Sequence, residues 1–98
     1  MHAVVRRYSG AGASDLFEEF ARKQGSAESL EQAMRRVPGL VAYTLMRTPE
    51  GGVSVTICQD RAATDQSVQV ARDWLRQNLS TSANPPEVLD GDVLLYFM

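Results

Sequence analysis

The chain has 98 residues, of which 44% are hydrophobic and 22% charged, and its formal net charge is −2. These values fit one folded domain over residues 1–98 and exclude a nucleic-acid binder with a clustered basic face. The single cysteine, Cys58, excludes an internal disulfide and a multi-cysteine metal site. The sequence shows no signal-peptide pattern, no run long enough for a membrane span and no phosphate-binding or zinc motif. We therefore expect a cytoplasmic protein without cofactor, metal, nucleic-acid partner or membrane.

The first predicted elements are a strand and a helix. Residues 2–8 are rich in β-branched residues and end at Ser9-Gly10-Ala11-Gly12, which is typical of a strand and turn. Ser14 is the expected cap of the following helix. Gly25-Ser26 interrupts the apolar stripe without changing its phase, so the pattern predicts one kinked helix, although Ser29 could cap a second helix if the break were complete. The stripe comprises Leu16, Phe20, Ala27, Leu30, Met34 and Val37.

The remaining elements are three strands and a second helix. Residues 40–47 and 53–59 read as strands joined by a short hairpin loop over 48–52. Thr64 or Asp65 is expected to begin the second helix, and residues 80–86 form a polar loop. After Val88-Leu89, the segment Asp90-Gly91-Asp92 reads as an interruption, and residues 93–98 read as the final strand. The apolar face of the second helix comprises Val68, Ala71, Leu75 and Leu79.

This element order predicts a ferredoxin-like βαββαβ fold of the α+β class, a four-stranded antiparallel sheet with two helices on one face. A sheet with one solvated face should alternate apolar and polar residues, but residues 93–97 do not. Strand two has apolar residues on both sides, and strand three opposes its valines with small uncharged residues. We therefore expect a homodimer in which a second copy covers the open sheet face. A chance apolar strand is the alternative.

Three stretches resemble the dimeric α+β barrel superfamily, and in particular small bacterial proteins built like antibiotic-biosynthesis monooxygenases. They are residues 37–43 (VPGLVAY), 51–56 (GGVSVT) and 71–75 (ARDWL), and the likeness extends to Asn84-Pro85-Pro86. The resemblance implies a homodimer with a ligand cleft between sheet and helices. Its members include cofactor-free monooxygenases and haem-degrading enzymes with an asparagine, a tryptophan and a histidine ligand. This chain has only His2 and no histidine in either predicted helix.

Trp74 and Asn78 are the first candidate ligand-binding residues. They are neighbours at i and i+4, and Asn78 projects into the apolar arc of the second helix. A buried amide beside an aromatic wall suits a small aromatic ligand or an anionic oxygen intermediate. The simpler interpretation, which we prefer, is that Trp74 belongs to the core and Asn78 ends the helix. The ligand hypotheses thus require a cavity beside Trp74.

Arg6 and Tyr43 complete the candidate ligand site. Arg6 shares a strand face with Tyr8 because side chains alternate along a strand. Arg6 is expected either to hold an anionic substrate or, as we prefer, to pair with an acidic residue across the dimer. Tyr43 follows the Val37-Pro38-Gly39 turn on strand two and faces the same side as Leu45.

Three further positions have a chemical and a structural interpretation. Cys58 could be a nucleophile, but no histidine is near it in sequence, so a buried structural thiol is favoured. His2 could be a general base, although we expect it to be solvated beside a flexible terminus. Asp90 and Asp92 could hold a metal but are more typical of a turn.

Three functions remain open. The chain is a dimer that binds a small apolar or aromatic molecule in the sheet–helix cleft, a cofactor-independent monooxygenase, or an assembly module without a ligand. RNA binding through the sheet would need exposed aromatics and basic residues, which strand three lacks.

Overall fold

The computed structural model describes residues 1–98 and contains four strands and three helices. Strand β1 spans His2–Tyr8, β2 Leu40–Thr48, β3 Gly51–Cys58 and β4 Glu87–Asp92; helix α1 spans Ala13–Arg22, α2 Ser26–Met34 and α3 Arg61–Asn78. All strand pairs are antiparallel in the order β2-β3-β1-β4. The α+β ferredoxin-like class is thus confirmed, with the helices packed against one face of the sheet.

The predicted single kinked helix is two helices. Gly25 adopts a left-handed conformation with φ 86°, which an α-helix cannot accommodate, and α2 begins at the next residue. The break between the two helices is complete. The apolar stripe nevertheless continues across it, because Leu16, Leu30 and Met34 all pack into one core. Tight packing also fixes Gly52 on β3, where a Cβ would lie 2.1 Å from the Phe17 ring.

The predicted starts of both helices also differ from the structure. Gly12 precedes α1 without a side-chain cap, so Ser14 is not the cap, and it lies inside the helix. Helix α3 begins at Arg61, earlier than Thr64 or Asp65, because the Asp60 side chain accepts a hydrogen bond from the Ala63 N–H at 2.9 Å. None of the helices is long and apolar enough to cross a membrane.

The final strand lies earlier in the chain than predicted. Asp90-Gly91-Asp92 is part of β4 and pairs with β1, so it is neither an interruption nor a turn. The Val93 N–H still donates to the Met1 carbonyl at 2.9 Å, but the residues that follow lie outside the sheet. Leu94, Phe97 and Met98 are 97%, 80% and 105% exposed. We call residues 93–98 the C-terminal arm.

The two sheet faces are chemically different. Gly52, Ser54, Thr56 and Cys58 of β3 face the helices and are buried, whereas the larger Val53, Val55 and Ile57 point away from them and are partly exposed. A bulge between Leu40 and Ala42 shifts the alternation of β2, so Val41 does not share the buried side of Tyr43 and Leu45 as predicted. On β3 the helix-facing side is therefore lined by small side chains.

Candidate functional site

Small residues on the helix-facing side of β3 leave a cavity between the sheet and the helices. Ser54 lies on β3 between the two neighbouring strands. To the lining of the cavity β1 contributes Arg6 and Tyr8, and β2 contributes Tyr43 and Leu45. About 380 Å³ of space lies between the lining atoms, partly open to solvent, and in this conformation it has room for roughly one or two water molecules. The lining residues, ten of twelve of them hydrophobic, are Arg6, Tyr8, Leu16, Phe17, Phe20, Leu30, Tyr43, Leu45, Ser54, Ala71, Leu75 and Leu79.

Arg6 is the only cation in this cavity. The residue is 5% exposed, its Nε has no hydrogen-bond partner, and no carboxylate lies within 4 Å of its guanidinium. Its Cζ lies 5.4 Å from the Tyr8 ring centroid, and this cation–π contact offsets part of the cost of burial. Arg6 faces the helices, so it cannot meet an acidic residue of a copy bound on the open sheet face. The preferred prediction for Arg6 is therefore wrong on geometric grounds.

Tyr43 and Ser54 provide hydroxyl groups beside Arg6. Burial raises the pKa of Tyr43 to about 12, although the Arg6 charge and the Ser54 hydroxyl act in the opposite direction. Burial also raises the pKa of Tyr8. Ser54 Oγ lies near enough to Tyr43 to lower the pKa of its hydroxyl. It makes no hydrogen bond of standard geometry, however, and therefore has no partner. The cavity thus holds two buried polar groups, Arg6 Nε and Ser54 Oγ, whose bonding capacity is unused.

The structure does not bring Trp74 and Asn78 into this cavity. Trp74 is 6% exposed, its Nε1 donates to Ser29 Oγ at 2.9 Å, and its ring meets Phe20 edge-on at 5.7 Å. Asn78 is the last residue of α3, and its Nδ2 donates to the Trp74 carbonyl at 2.9 Å. Neither residue lines the cavity, although Phe20, which does, lies against the Trp74 ring. Trp74 joins α3 to α2 through Ser29, and the Asn78 side chain bonds within α3, so no contact supports a role of either residue in ligand binding.

His2 is buried at the other end of the sheet, which contradicts the solvated position predicted for it. Its Nδ1 lies 2.6 Å from Thr64 Oγ1, and its Nε2 lies 3.4 Å from Asp90 Oδ1. Thr64 donates its own proton to the Arg61 carbonyl at 2.9 Å, so Nδ1 is the donor of the His2–Thr64 bond. His2 links β1 to α3 and β4 and does not line the cavity.

Cys58 lies opposite His2 in the β1–β3 pair, a proximity that sequence separation concealed. The residue is fully buried, and burial raises the pKa of its thiol. A buried neutral thiol fits the structural role that was predicted. Asp90 and Asp92 form no metal site, since no group of three or more histidine, cysteine or acidic side chains gathers anywhere in the chain.

Sequence reasoning overlooked the importance of Ser54. The available signal was the alternation of β3, in which small polar residues oppose valine and isoleucine. In the sequence that pattern indicated only that both faces of strand three could be buried, whereas in the structure Ser54 lines the cavity. The shared face of Arg6 and Tyr8 was recognised from the period of two.

Comparison with known proteins identifies relatives in fold. No protein-family model and no curated protein matches the chain. NE2512 from Nitrosomonas europaea, a protein of unknown function, aligns over 99% of this chain and 91% of its own, with a TM-score of 0.68 and 14% identity. SnoaB, a cofactor-independent oxygenase from Streptomyces nogalater, aligns over 97% of this chain and 94% of its own, with a TM-score of 0.62 and 19% identity.

A second Nitrosomonas europaea protein, proposed to be an antibiotic biosynthesis monooxygenase, aligns over 97% of this chain and all of its own, with a TM-score of 0.63 and 16% identity. Identities this low show shared fold and leave activity open. The resemblance to antibiotic-biosynthesis-monooxygenase-like proteins is thereby confirmed for the fold.

Proposed function

We propose that the protein is a homodimer that binds a small aromatic molecule in the cavity between sheet and helices. The observation that carries this proposal is the pair of unpartnered polar groups, Arg6 Nε and Ser54 Oγ, in an otherwise apolar cavity. Unpaired buried polar groups are costly and cluster where a ligand supplies the missing partner. A reducing cytosol suits the single unpaired Cys58.

Aromatic side chains favour an aromatic ligand. Tyr8, Phe17, Phe20 and Tyr43 all line the cavity, and Tyr8 and Phe17 meet at 5.5 Å. A ring inserted among them must widen the cavity, which in this conformation has room for only about one or two water molecules, and it then gains stacking and edge contacts in addition to apolar burial. A wider groove beneath α2 shares Phe20, Leu30, Tyr43 and Leu45 with the cavity and provides an approach to it.

The open sheet face supports the dimer. Val5, Val53, Val55 and Ile57 form a partly exposed β-branched surface on the side away from the helices, and Leu89 beside them is 64% exposed. Together with the apolar C-terminal arm, this is more exposed apolar surface than a small monomer normally carries. A second copy placed face to face would bury it.

A cofactor-independent monooxygenase is the second candidate, favoured by Arg6 and by the fold shared with SnoaB. In that reaction an acidic ring methylene loses a proton, the carbanion reduces O₂, and loss of water from the hydroperoxide leaves a carbonyl. One oxygen atom enters the product and the other leaves as water. Arg6 would stabilise the substrate anion. The cavity has no acidic or histidine side chain to act as base, so the substrate itself must be acidic.

Haem does not fit the residues present. The only histidine, His2, is buried, its Nδ1 bonds Thr64, its Nε2 lies 3.4 Å from Asp90 Oδ1 without a hydrogen bond, and it does not line the cavity. No other imidazole can serve as an axial ligand.

Calorimetric titration with naphthalene-2-carboxamide, a neutral bicyclic probe, tests the cavity. Binding should be lost in Ser54→Leu, because the larger side chain fills the cavity floor, and retained in Ser14→Leu, whose position is exposed on α1. Oxygen uptake with anthrone, matched by an equal amount of anthraquinone, tests catalysis. An unchanged affinity in a folded Ser54→Leu protein would contradict the cavity, and failure of the probe to bind the unaltered protein would leave the assembly-module hypothesis.

A further inference from the structure

A second groove opens on the same Arg6 and Tyr8 as the cavity. It runs between α3 and residues 79–88, has a volume of about 720 Å³ that is open to solvent, and shares Leu16, Leu75 and Leu79 with the cavity. Arg6 and Tyr8 therefore border both spaces. A ring in the cavity and an anionic substituent in this groove would both lie beside Arg6.

The charged residues that line this groove are all positive. Its lining includes Arg6, Arg72 and Arg76 and no acidic residue. None of the three arginines forms an ion pair within the chain; the arginines that do so are Arg7, Arg35 and Arg61. Within a chain of net charge −2, three unpaired guanidinium groups on one groove concentrate positive potential there.

The positions of Arg72 and Arg76 add to this asymmetry. They are exposed and lie four residues apart on α3, where like charges repel each other. Glu19 bonds two groove-lining residues, since its carboxylate accepts from the Ser80 and Thr81 backbone and hydroxyl groups and holds residues 80–81 against α1. This carboxylate anchors the loop and pairs with neither Arg72 nor Arg76.

From these observations we infer that the groove binds an oxyanion substituent, a carboxylate or a phosphate, of the same ligand whose aromatic part occupies the cavity. The inference rests on the proposed function and names its ligand class, an aromatic acid. Arg6 lies where ring and substituent join, and Arg72 and Arg76 receive the anionic group. Guanidinium groups suit this role because their planar donors match the geometry of oxyanions.

Calorimetric titration with three naphthalenes separates ring binding from anion binding. Naphthalene-2-carboxylate and naphthalene-2-carboxamide are nearly equal in shape and differ in charge, and 2-naphthyl phosphate carries a larger charge. The unaltered protein should bind the carboxylate about tenfold or more tighter than the carboxamide, the size expected of charge-assisted hydrogen bonds. A still tighter phosphate would identify a phosphorylated ligand, whereas a weaker one would identify a carboxylic acid.

The double variant Arg72→Ala/Arg76→Ala should lose most of this preference and keep its affinity for the carboxamide. Arg36→Ala removes an exposed arginine that lines neither space, and it should retain the preference. One molar salt should also reduce the preference in the unaltered protein, because exposed charges are screened. Both altered arginines are exposed, so circular dichroism should show an intact fold.

The outcomes distinguish the two proposals. Equal binding of carboxylate and carboxamide by the unaltered protein, or an equal loss in Arg36→Ala, overturns the anion groove and leaves the aromatic cavity standing. Failure of all three naphthalenes to bind overturns the cavity and the groove together.

Discussion

Replacing Arg6 with methionine should stabilise the ligand-free protein and weaken its binding of anions. Methionine is uncharged and replaces the aliphatic part of the arginine side chain, so it stays apolar in the cavity and leaves no unpaired donor. Arg6 is 5% exposed, and its Nε lacks any hydrogen-bond partner. A buried donor left unpaired costs about 1–3 kcal/mol, and replacing a buried charge by an apolar side chain is often stabilising.

The gain is smaller than this cost because one favourable contact is lost. The guanidinium lies over the Tyr8 ring at 5.4 Å, a contact worth about 0.5–2 kcal/mol. The net effect expected of Arg6→Met is therefore a stabilisation of roughly 1 kcal/mol. For a domain of this size, this raises the melting temperature by about 4–8 °C.

Urea unfolding at one fixed protein concentration measures this change, because the stability of a dimer depends on concentration. Arg36→Met, at an exposed position, is the matched control and should change the free energy of unfolding by less than about 0.5 kcal/mol. If Arg6→Met instead destabilised the protein by more than about 1 kcal/mol, Arg6 would have a structural partner. The assignment of its free donor to a ligand would then be wrong.

Three further predictions follow from other parts of the molecule. Hydrogen bonds from Thr81 and Ser80 lower the pKa of Glu19 from 4.5 to about 2, so its contribution to stability is complete above pH 4.5 and lost as the pH falls to 2. In Glu19→Gln the free energy of unfolding in urea should depend less on pH across that window, and an unchanged pH dependence would contradict the assignment. Burial raises the pKa of Tyr43 from 10 to about 12, so the contribution of the neutral tyrosine to stability is complete below pH 10 and is lost towards pH 12. Tyr43→Phe should reduce this alkaline loss of stability, and an identical alkaline profile in the variant would refute the assignment to Tyr43. Deleting residues 93–98 should weaken the dimer at least about tenfold by light scattering, since the arm is apolar and exposed, and a full-length protein that is monomeric at micromolar concentration would disprove the dimer.

The sequence predicted the order of elements well but not where they begin and end. The apolar stripe from Leu16 to Met34 indicated helix correctly, yet the same phase is compatible with one helix or two. Only the left-handed backbone of Gly25 decides between them. The arm at residues 93–98 has higher strand propensity than Glu87–Asp92, but pairing with β1 selects the less apolar segment. Tertiary pairing thus overrides local propensity at this edge of the sheet.

The site was harder to predict because strand periodicity does not say which face meets the helices. Alternation placed Arg6 and Tyr8 together, and this geometry is observed. The assignment of Arg6 to the dimer side failed because nothing local distinguishes the two faces of β1. Trp74 and Asn78 do lie on the inner side of α3, but the Ser29 hydroxyl and the Trp74 carbonyl take up their polar atoms. The Ser29 partner lies on another helix and could not be read from spacing on α3, whereas the Trp74 carbonyl is four residues from Asn78 on the same helix.

The contents of the cavity restrict the chemistry that it can support. It offers one cation, neutral hydroxyl groups and aromatic walls, and it lacks any group that could accept a proton at neutral pH. Stabilisation of an anion without a base suits a ligand that is already ionised or whose acidity Arg6 itself increases. A neutral, weakly acidic aromatic could occupy the cavity but would leave Arg6 unpaired, and its burial cost would remain. Under the proposed function, the same unpaired guanidinium that weakens the empty fold therefore sets the class of ligand.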